Sequence, residues 1–163
     1  MNRNSIRSLR TGRAAALVTA FALPLAMAAC SGGKAKAGTG DPATTTFASS
    51  LDVNLSQMTK TSSGLYVQDV TVGTGAEAAT GSSVTVDYTV WLPDGTKVDS
   101  GSFPFTIGAH KVVAGFDEGV TGMKVGGVRR LVVPPALGYG AQGNGPIPGN
   151  AVLVFEVTLK SVS

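Results

Sequence analysis

From residue 64 to the end of the chain, apolar positions recur with two different periods. Val84, Val86, Tyr88, Val90 and Leu92 alternate with polar or exposed partners, the period-2 pattern of a half-buried strand. Leu65 to Val72 reads as an earlier strand, stopped by Gly73-Thr74-Gly75, and Thr80-Gly81-Ser82-Ser83 marks the next turn. Pro93-Asp94-Gly95 turns the chain into a strand from Thr96 to Asp99, and a further short strand, Phe103 to Ile107, comes after the tight link Ser100-Gly101-Ser102. Val128 to Val133, with Leu131 and Val133 on one face, and Ala151 to Val162, with Leu153, Phe155, Val157 and Leu159 inward, complete the strands.

One segment in this region has the longer period. Between Lys111 and Met123, the residues Val113, Phe116, Val120 and Met123 share a stripe, while Asp117 and Glu118 fall elsewhere. Gly115, Gly119 and Gly122 oppose a helix by roughly 0.5 to 1 kcal/mol each. Burying the four apolar side chains returns roughly 6 to 12 kcal/mol gross. The helix is therefore expected when docked, close against a sheet, with Gly126-Gly127 ending it. Strands before and after a single helix predict an α+β fold with an antiparallel sheet wrapped against it.

Two stretches fit neither period. Leu131 to Val157 reads as strand, Pro-Pro stop, long loop and strand; between Pro134 and Gly149 it holds four prolines and five glycines, which exclude helix and central strand. A loop of that length gripped by strands is expected to be functional, with Tyr139 and Ile147 its notable side chains. Residues 31 to about 50 are Gly, Ala, Ser, Thr and Lys, a flexible tether. From Phe47 to Met58, the spacing of Leu51, Leu55 and Met58 allows a short helix or an arm lying against the domain. The organisation expected is a signal at 1–29, the tether at 30–60 and a compact domain at 61–163.

Composition and charge change the picture at the N-terminus. The formal charge is +3, but Arg3, Arg7, Arg10 and Arg13 all lie in the first thirteen residues, and from Cys30 onward nine Lys/Arg face ten Asp/Glu, a net of −1. The basic excess belongs to the leader, so nothing electrostatic points to nucleic acid. The apolar run Ala14 to Ala29 is short for a membrane-spanning helix, and with its basic start and small-residue end it matches an export signal. Leu25-Ala26-Met27-Ala28-Ala29-Cys30 resembles the lipobox of bacterial lipoproteins, with Met27 where leucine is commoner. Lipid attachment at Cys30 and an extracytoplasmic, membrane-anchored location are the expectation.

Several chemistries find no support. Gly73-x-Gly75-x-x-Ala78 mimics a dinucleotide fingerprint, yet an Ala-rich stretch and another glycine turn come directly after it, so no βαβ unit can form. His110 is the only histidine and has no second ligand nearby, and Cys30 is the only cysteine, so no metal site is expected. No serine has a base at a motif spacing. Tyr88, Phe103, Phe105, Phe116, Tyr139 and Phe155 remain, and on their own they read equally as a ligand pocket or as an aromatic core.

From Gly64 onward the chain resembles FKBP-type peptidyl-prolyl cis-trans isomerases. The resemblance is carried by Ser63-Gly-Leu-Tyr66, Val86-Asp-Tyr-Thr89, Leu92-Pro-Asp-Gly-Thr-Lys-Val-Asp-Ser100, Phe103-Pro-Phe-Thr-Ile-Gly108, Val112-Val-Ala-Gly-Phe-Asp-Glu-Gly119, Met123-Lys-Val-Gly-Gly127, Arg130-Leu-Val-Val-Pro-Pro-Ala-Leu-Gly-Tyr-Gly140 and Leu153-Val-Phe-Glu-Val157, in order. It implies a five- or six-stranded antiparallel sheet curled around the short helix, activity on proline-containing polypeptides, macrolides as further ligands, no cofactor, and a monomer. It also implies a pocket of Tyr88, Val98, Asp99, Phe103, Val112, Val113, Phe116, Tyr139, Ile147 and Phe155. Phe116 would be the floor under the proline ring, and the Tyr139 hydroxyl and the Val113 N–H would each bind a substrate carbonyl. Asp99 would supply polarity rather than proton transfer. This chain departs from the family in three places: Phe116 stands where tryptophan is common, Val98 where a bulky aromatic is common, and the loop that often carries a basic partner for the aspartate is short. The rival implied by those departures is a non-catalytic proline-peptide-binding or holdase module on the same fold.

Overall fold

A computed structural model describes residues 40–163. The expected export signal, Cys30 and the first part of the expected tether lie outside the described residues. Six strands, β1 (Thr59–Lys60), β2 (Tyr66–Thr71), β3 (Ser83–Trp91), β4 (Lys97–Thr106), β5 (Val128–Val133) and β6 (Leu153–Val162), form one antiparallel sheet in the order β1-β2-β5-β6-β3-β4. One α-helix, α1 (Ala114–Val120), lies against its concave face.

Two elements differ from the expectation. The segments expected as two short strands, Thr96 to Asp99 and Phe103 to Ile107, are one strand. Ser100, Gly101 and Ser102 pair with Thr89, Tyr88 and Asp87, so the small residues that suggested a link serve as strand positions. The helix is shorter than Lys111 to Met123. Val113 is still extended (φ −60°, ψ 144°) as its N-cap, and the chain leaves the helix at Thr121 and turns at Gly122, φ +80°, well before Gly126-Gly127. Lys111 and Val112 therefore belong to a rim loop rather than to the helix.

Helix glycines give the close approach their spacing suggested. A Cβ on Gly115 would come within 2.6 Å of Val133 Cγ1, and one on Gly119 would collide with the Leu131 side chain. Arg129 clamps the far end of the helix: its Nη1 donates to the carbonyls of Gly119 (2.9 Å) and Thr121 (3.1 Å), and its Nε to Asp69 on β2 (2.6 Å). The helix, and with it Phe116, is thereby fixed to β2 and β5. Asp117, assigned only to the polar side of the stripe, is buried, and its Oδ1 accepts the Gly108 N–H at 2.8 Å, pinning the rim loop.

The sheet is covered on both faces. Val86, Val90, Leu131, Val133, Leu153, Phe155, Val157 and Leu159 meet α1 on the concave side. On the outer side, Tyr66, Val132, Val152 and Val154 are covered by Leu51 and Met58, flanked by Phe47, Val53 and Leu55. This covering segment is the arm against the domain rather than a helix; it runs through 3₁₀ turns at Pro42–Thr44, Ser49–Leu51 and Leu55–Gln57. Two backbone bonds fasten it, Gly40 N–H to Asn150 O (3.0 Å) and Ala48 N–H to Pro93 O (2.7 Å), so the chain is engaged with the domain well before residue 50.

Candidate functional site

The hollow of the curled sheet is a cavity of about 480 Å³, open to solvent. Four elements and two loops supply its walls. β3 contributes Tyr88 and Val90; β4 contributes Val98, Asp99 and Phe103; the rim loop contributes Lys111, Val112 and Val113; α1 contributes Phe116; the 134–150 loop contributes Tyr139 and Asn144 to Ile147; β6 contributes Phe155. All ten residues named from the sequence thus line one cavity. Val90, Lys111, Asn144, Gly145 and Pro146 were not named. Val90 could have been found, since it shares the alternating face of β3 with Tyr88; the others lie in loops with no periodic signal.

Aromatic side chains organise the interior. Phe116, 5% exposed, makes edge-on contacts with Phe155 (centroids 5.4 Å apart) and Tyr88 (6.1 Å), and a tilted contact with Phe105 (5.7 Å). These offset and T-shaped arrangements are the ones the ring quadrupole favours. Phe103, 41% exposed, stacks on Phe105 at 6.2 Å and stands at the cavity mouth.

Polar groups are few and placed at the edges. The Tyr88 hydroxyl donates to Asp99 Oδ2 at 2.6 Å, and Asp99 Oδ1 accepts the Ser100 N–H at 2.8 Å. The pairing comes from strand register: Val90 faces Asp99 and Tyr88 faces Gly101, which makes Tyr88 and Asp99 diagonal neighbours. Among the described residues Asp99 has no cation within salt-bridge distance, and its side-chain partner is the Tyr88 phenol. The hydrogen bond from Tyr88, then the one from Ser100, holds the Asp99 carboxyl below the usual carboxylate range, and the same bond together with burial pushes the Tyr88 phenol up to about 12.

Tyr88→Phe tests this pair. Asp99 stabilises the fold above its unfolded pKa, and that contribution is lost as pH falls through its lower folded value; the phenol's contribution is complete below about pH 10 and lost as pH rises through about 12. Without the phenol, the Asp99 carboxyl is expected to titrate at higher pH, as read from its carbonyl carbon resonance. An unmoved titration would show that the bond does not form in solution.

The 134–150 loop is shaped by its own backbone. Gly140 donates to Pro135 O (2.9 Å), Gly143 to Tyr139 O (3.2 Å), and Asn144 and Ile147 bond reciprocally at 2.9 Å each around Gly145-Pro146. This tight turn buries Ile147 toward the cavity. Two donors in the lining are free among the described residues: the Tyr139 hydroxyl, and the N–H of Val113, whose carbonyl is used to start α1.

Comparison with known proteins matches this geometry. Residues 75–160 fit the family model described as FKBP-type peptidyl-prolyl cis-trans isomerase. The FK506-binding protein of Neisseria meningitidis serogroup B is 47% identical over 105 residues, which cover 61% of this chain and 96% of that protein. Among solved structures, AtFKBP13 superposes with a TM-score of 0.61 at 32% identity, over 65% of this chain and 98% of that one. FkpA from Escherichia coli gives a TM-score of 0.61 at 35% identity, over 66% of this chain and 52% of that one. A six-stranded antiparallel sheet around one short helix, an aromatic cavity built from it and these relatives together make this chain a member of the FKBP-type peptidyl-prolyl cis-trans isomerases.

Proposed function

We propose that the protein catalyses X-Pro rotation in exported polypeptides from a lipid-anchored position outside the cytoplasm, and that the aromatic cavity is where it does so. The observation that carries the reading is the cavity itself: an apolar floor and walls, two donors in its lining that are unused among the described residues, and the only carboxylate of its lining already engaged by a phenol and a backbone N–H.

Such a site needs no nucleophile. The planar imide resists rotation by about 18 to 20 kcal/mol because of conjugation, and an uncatalysed X-Pro bond takes tens to hundreds of seconds to turn. The proline ring lies on Phe116 between Tyr88, Phe103 and Phe155, with Val98, Val112 and Ile147 closing the sides. The imide carbonyl, held out of water, loses the solvation that favours its charge-separated planar form. Tyr139 Oη and the Val113 N–H bind flanking carbonyls in the turned geometry better than in the extended one, which lowers the barrier by differential binding. An acceleration of about ten-thousandfold requires about 5.5 kcal/mol. Macrolides of the kind named in the FK506-binding relatives would compete for the same floor.

Tyr139→Phe keeps the ring and removes only the donor. It is expected to lower kcat/KM on a short X-Pro peptide about three- to tenfold, the worth of one hydrogen bond made in the transition state. Wild-type turnover in this variant would remove Tyr139 from the mechanism.

Location rests on the leader and Cys30. Full-length protein expressed in a bacterium that processes lipoproteins should partition into detergent with the membrane fraction, and Cys30→Ser should move it to the aqueous phase. Partitioning that survives the substitution would count against the anchor.

A further inference from the structure

The cavity mouth carries a charge that X-Pro rotation itself does not use. Lys111 is exposed, lines the cavity immediately before Val112 and Val113, and among the described residues makes no ion pair or hydrogen bond. Its position is set by the backbone on both sides. Upstream, the buried Asp117 holds Gly108; downstream, Val113 O accepts from Phe116 and Asp117 N–H as α1 begins. The flexible stem therefore starts from a fixed point on the rim.

Other charges around the mouth leave Lys111 unpaired among the described residues. Asp99 is the only carboxylate in the lining, both its oxygens are occupied, and Lys97 on the same strand also acts on it. The 134–150 loop, which lines the same cavity, contains no acidic or basic residue that could neutralise the ammonium. The lining therefore holds one cation, Lys111, and one anion, Asp99, and because the anion is already engaged the ammonium is the charge left for a ligand at a site whose interior is apolar.

We infer that Lys111 is a specificity-determining residue that selects substrates carrying an acidic side chain within two residues of the proline. This rests on the isomerase reading. An exposed pair of this kind supports a preference of about two- to fivefold for Glu over Gln, and screening at high salt removes it.

The test uses the full chain and four sets of proline peptides, with Glu, Gln or Lys placed one or two before or one or two after the proline, and with turnover read by exchange NMR so that no coupling protease imposes its own charge preference. Expected at one or more positions is kcat/KM in the order Glu, Gln, Lys at about 0.05 M salt, with the ratios falling toward one at about 0.5 M. In Lys111→Glu, the order, normalised to the Gln peptide of the same variant, should reverse. Equal turnover of all three peptides at every position, or an order that Lys111→Glu leaves intact, overturns the inference while leaving the isomerase reading standing. No turnover of any peptide by the wild-type protein would instead fail the isomerase reading beneath it.

Discussion

Phe116→Ala is expected to cost about 3 to 5 kcal/mol of stability, as for other buried aromatic truncations, and to reduce turnover far more than tenfold at temperatures where the variant is still folded. The ring meets Tyr88, Phe105 and Phe155 at centroid distances of 5.4 to 6.1 Å, so its removal opens the floor of the cavity and frees three neighbours at once. Thermal melting followed by circular dichroism gives the stability term, and exchange NMR on a proline peptide gives turnover. Because loss of fold alone would lower activity, Phe116→Trp is the informative companion. It refills the floor with the larger ring common in the family and should stay folded and active. A Phe116→Ala protein that is folded and turns over peptide at the wild-type rate would mean that this ring is core and not floor.

Removing the arm is expected to have the second largest effect. Leu51 and Met58 are 6% and 8% exposed where they cover Tyr66, Val132, Val152 and Val154. At about 1.5 to 3 kcal/mol for each buried side chain, their loss amounts to about 3 to 6 kcal/mol, which for a domain of this size lowers Tm by about 10 °C or more. A chain beginning at Thr59 should therefore melt lower and expose an apolar outer face. It should also bind a hydrophobic dye that the longer chain does not. Leu51→Ala provides the milder version and should show part of the same shift. An unchanged Tm for both would mean that the segment only rests on the sheet.

The arm also shows what was legible in the sequence and what was not. Strand positions on the concave face were readable because Val84, Val86, Tyr88, Val90 and Leu92 alternate cleanly. Val132, Val152 and Val154 break that alternation, giving the continuous apolar runs of a sheet buried on both sides. The spacing of Leu51, Leu55 and Met58 allowed an arm against the domain, but which face it covers depends on these outward valines, a tertiary match that no local pattern carries. The continuity of β4 was hidden because Ser100-Gly101-Ser102 has turn composition, whereas cross-strand pairing with β3 decides its conformation. Helix length was overestimated for a related reason: the apolar stripe continues through Val113 and Met123, but Val113 only caps the helix through its carbonyl, and past Val120 the chain closes a single turn from the Met123 N–H to Val120 O while the Gly122 N–H bonds Ala78 O.

Within the site, resemblance brought the ten lining residues together, and periodicity alone would not have done so. Tyr139 and Ile147 sit in a loop whose form depends on reciprocal bonds at Asn144 and Ile147, which no local pattern announces. The bond between Tyr88 and Asp99 depends on register between two strands, and the role of Asp117 in holding Gly108 depends on where the rim loop passes the helix. Each of these is a tertiary consequence of elements that are individually readable.

Isomerisation by the wild-type domain is the most direct test of a catalytic cavity. Exchange NMR on a short peptide with one X-Pro bond, at micromolar protein, should show cis and trans resonances exchanging in well under a second, against tens to hundreds of seconds without protein. Peptide resonances that shift on binding while the exchange rate stays at its uncatalysed value would contradict it, and would make the cavity a binding site for proline segments without turnover.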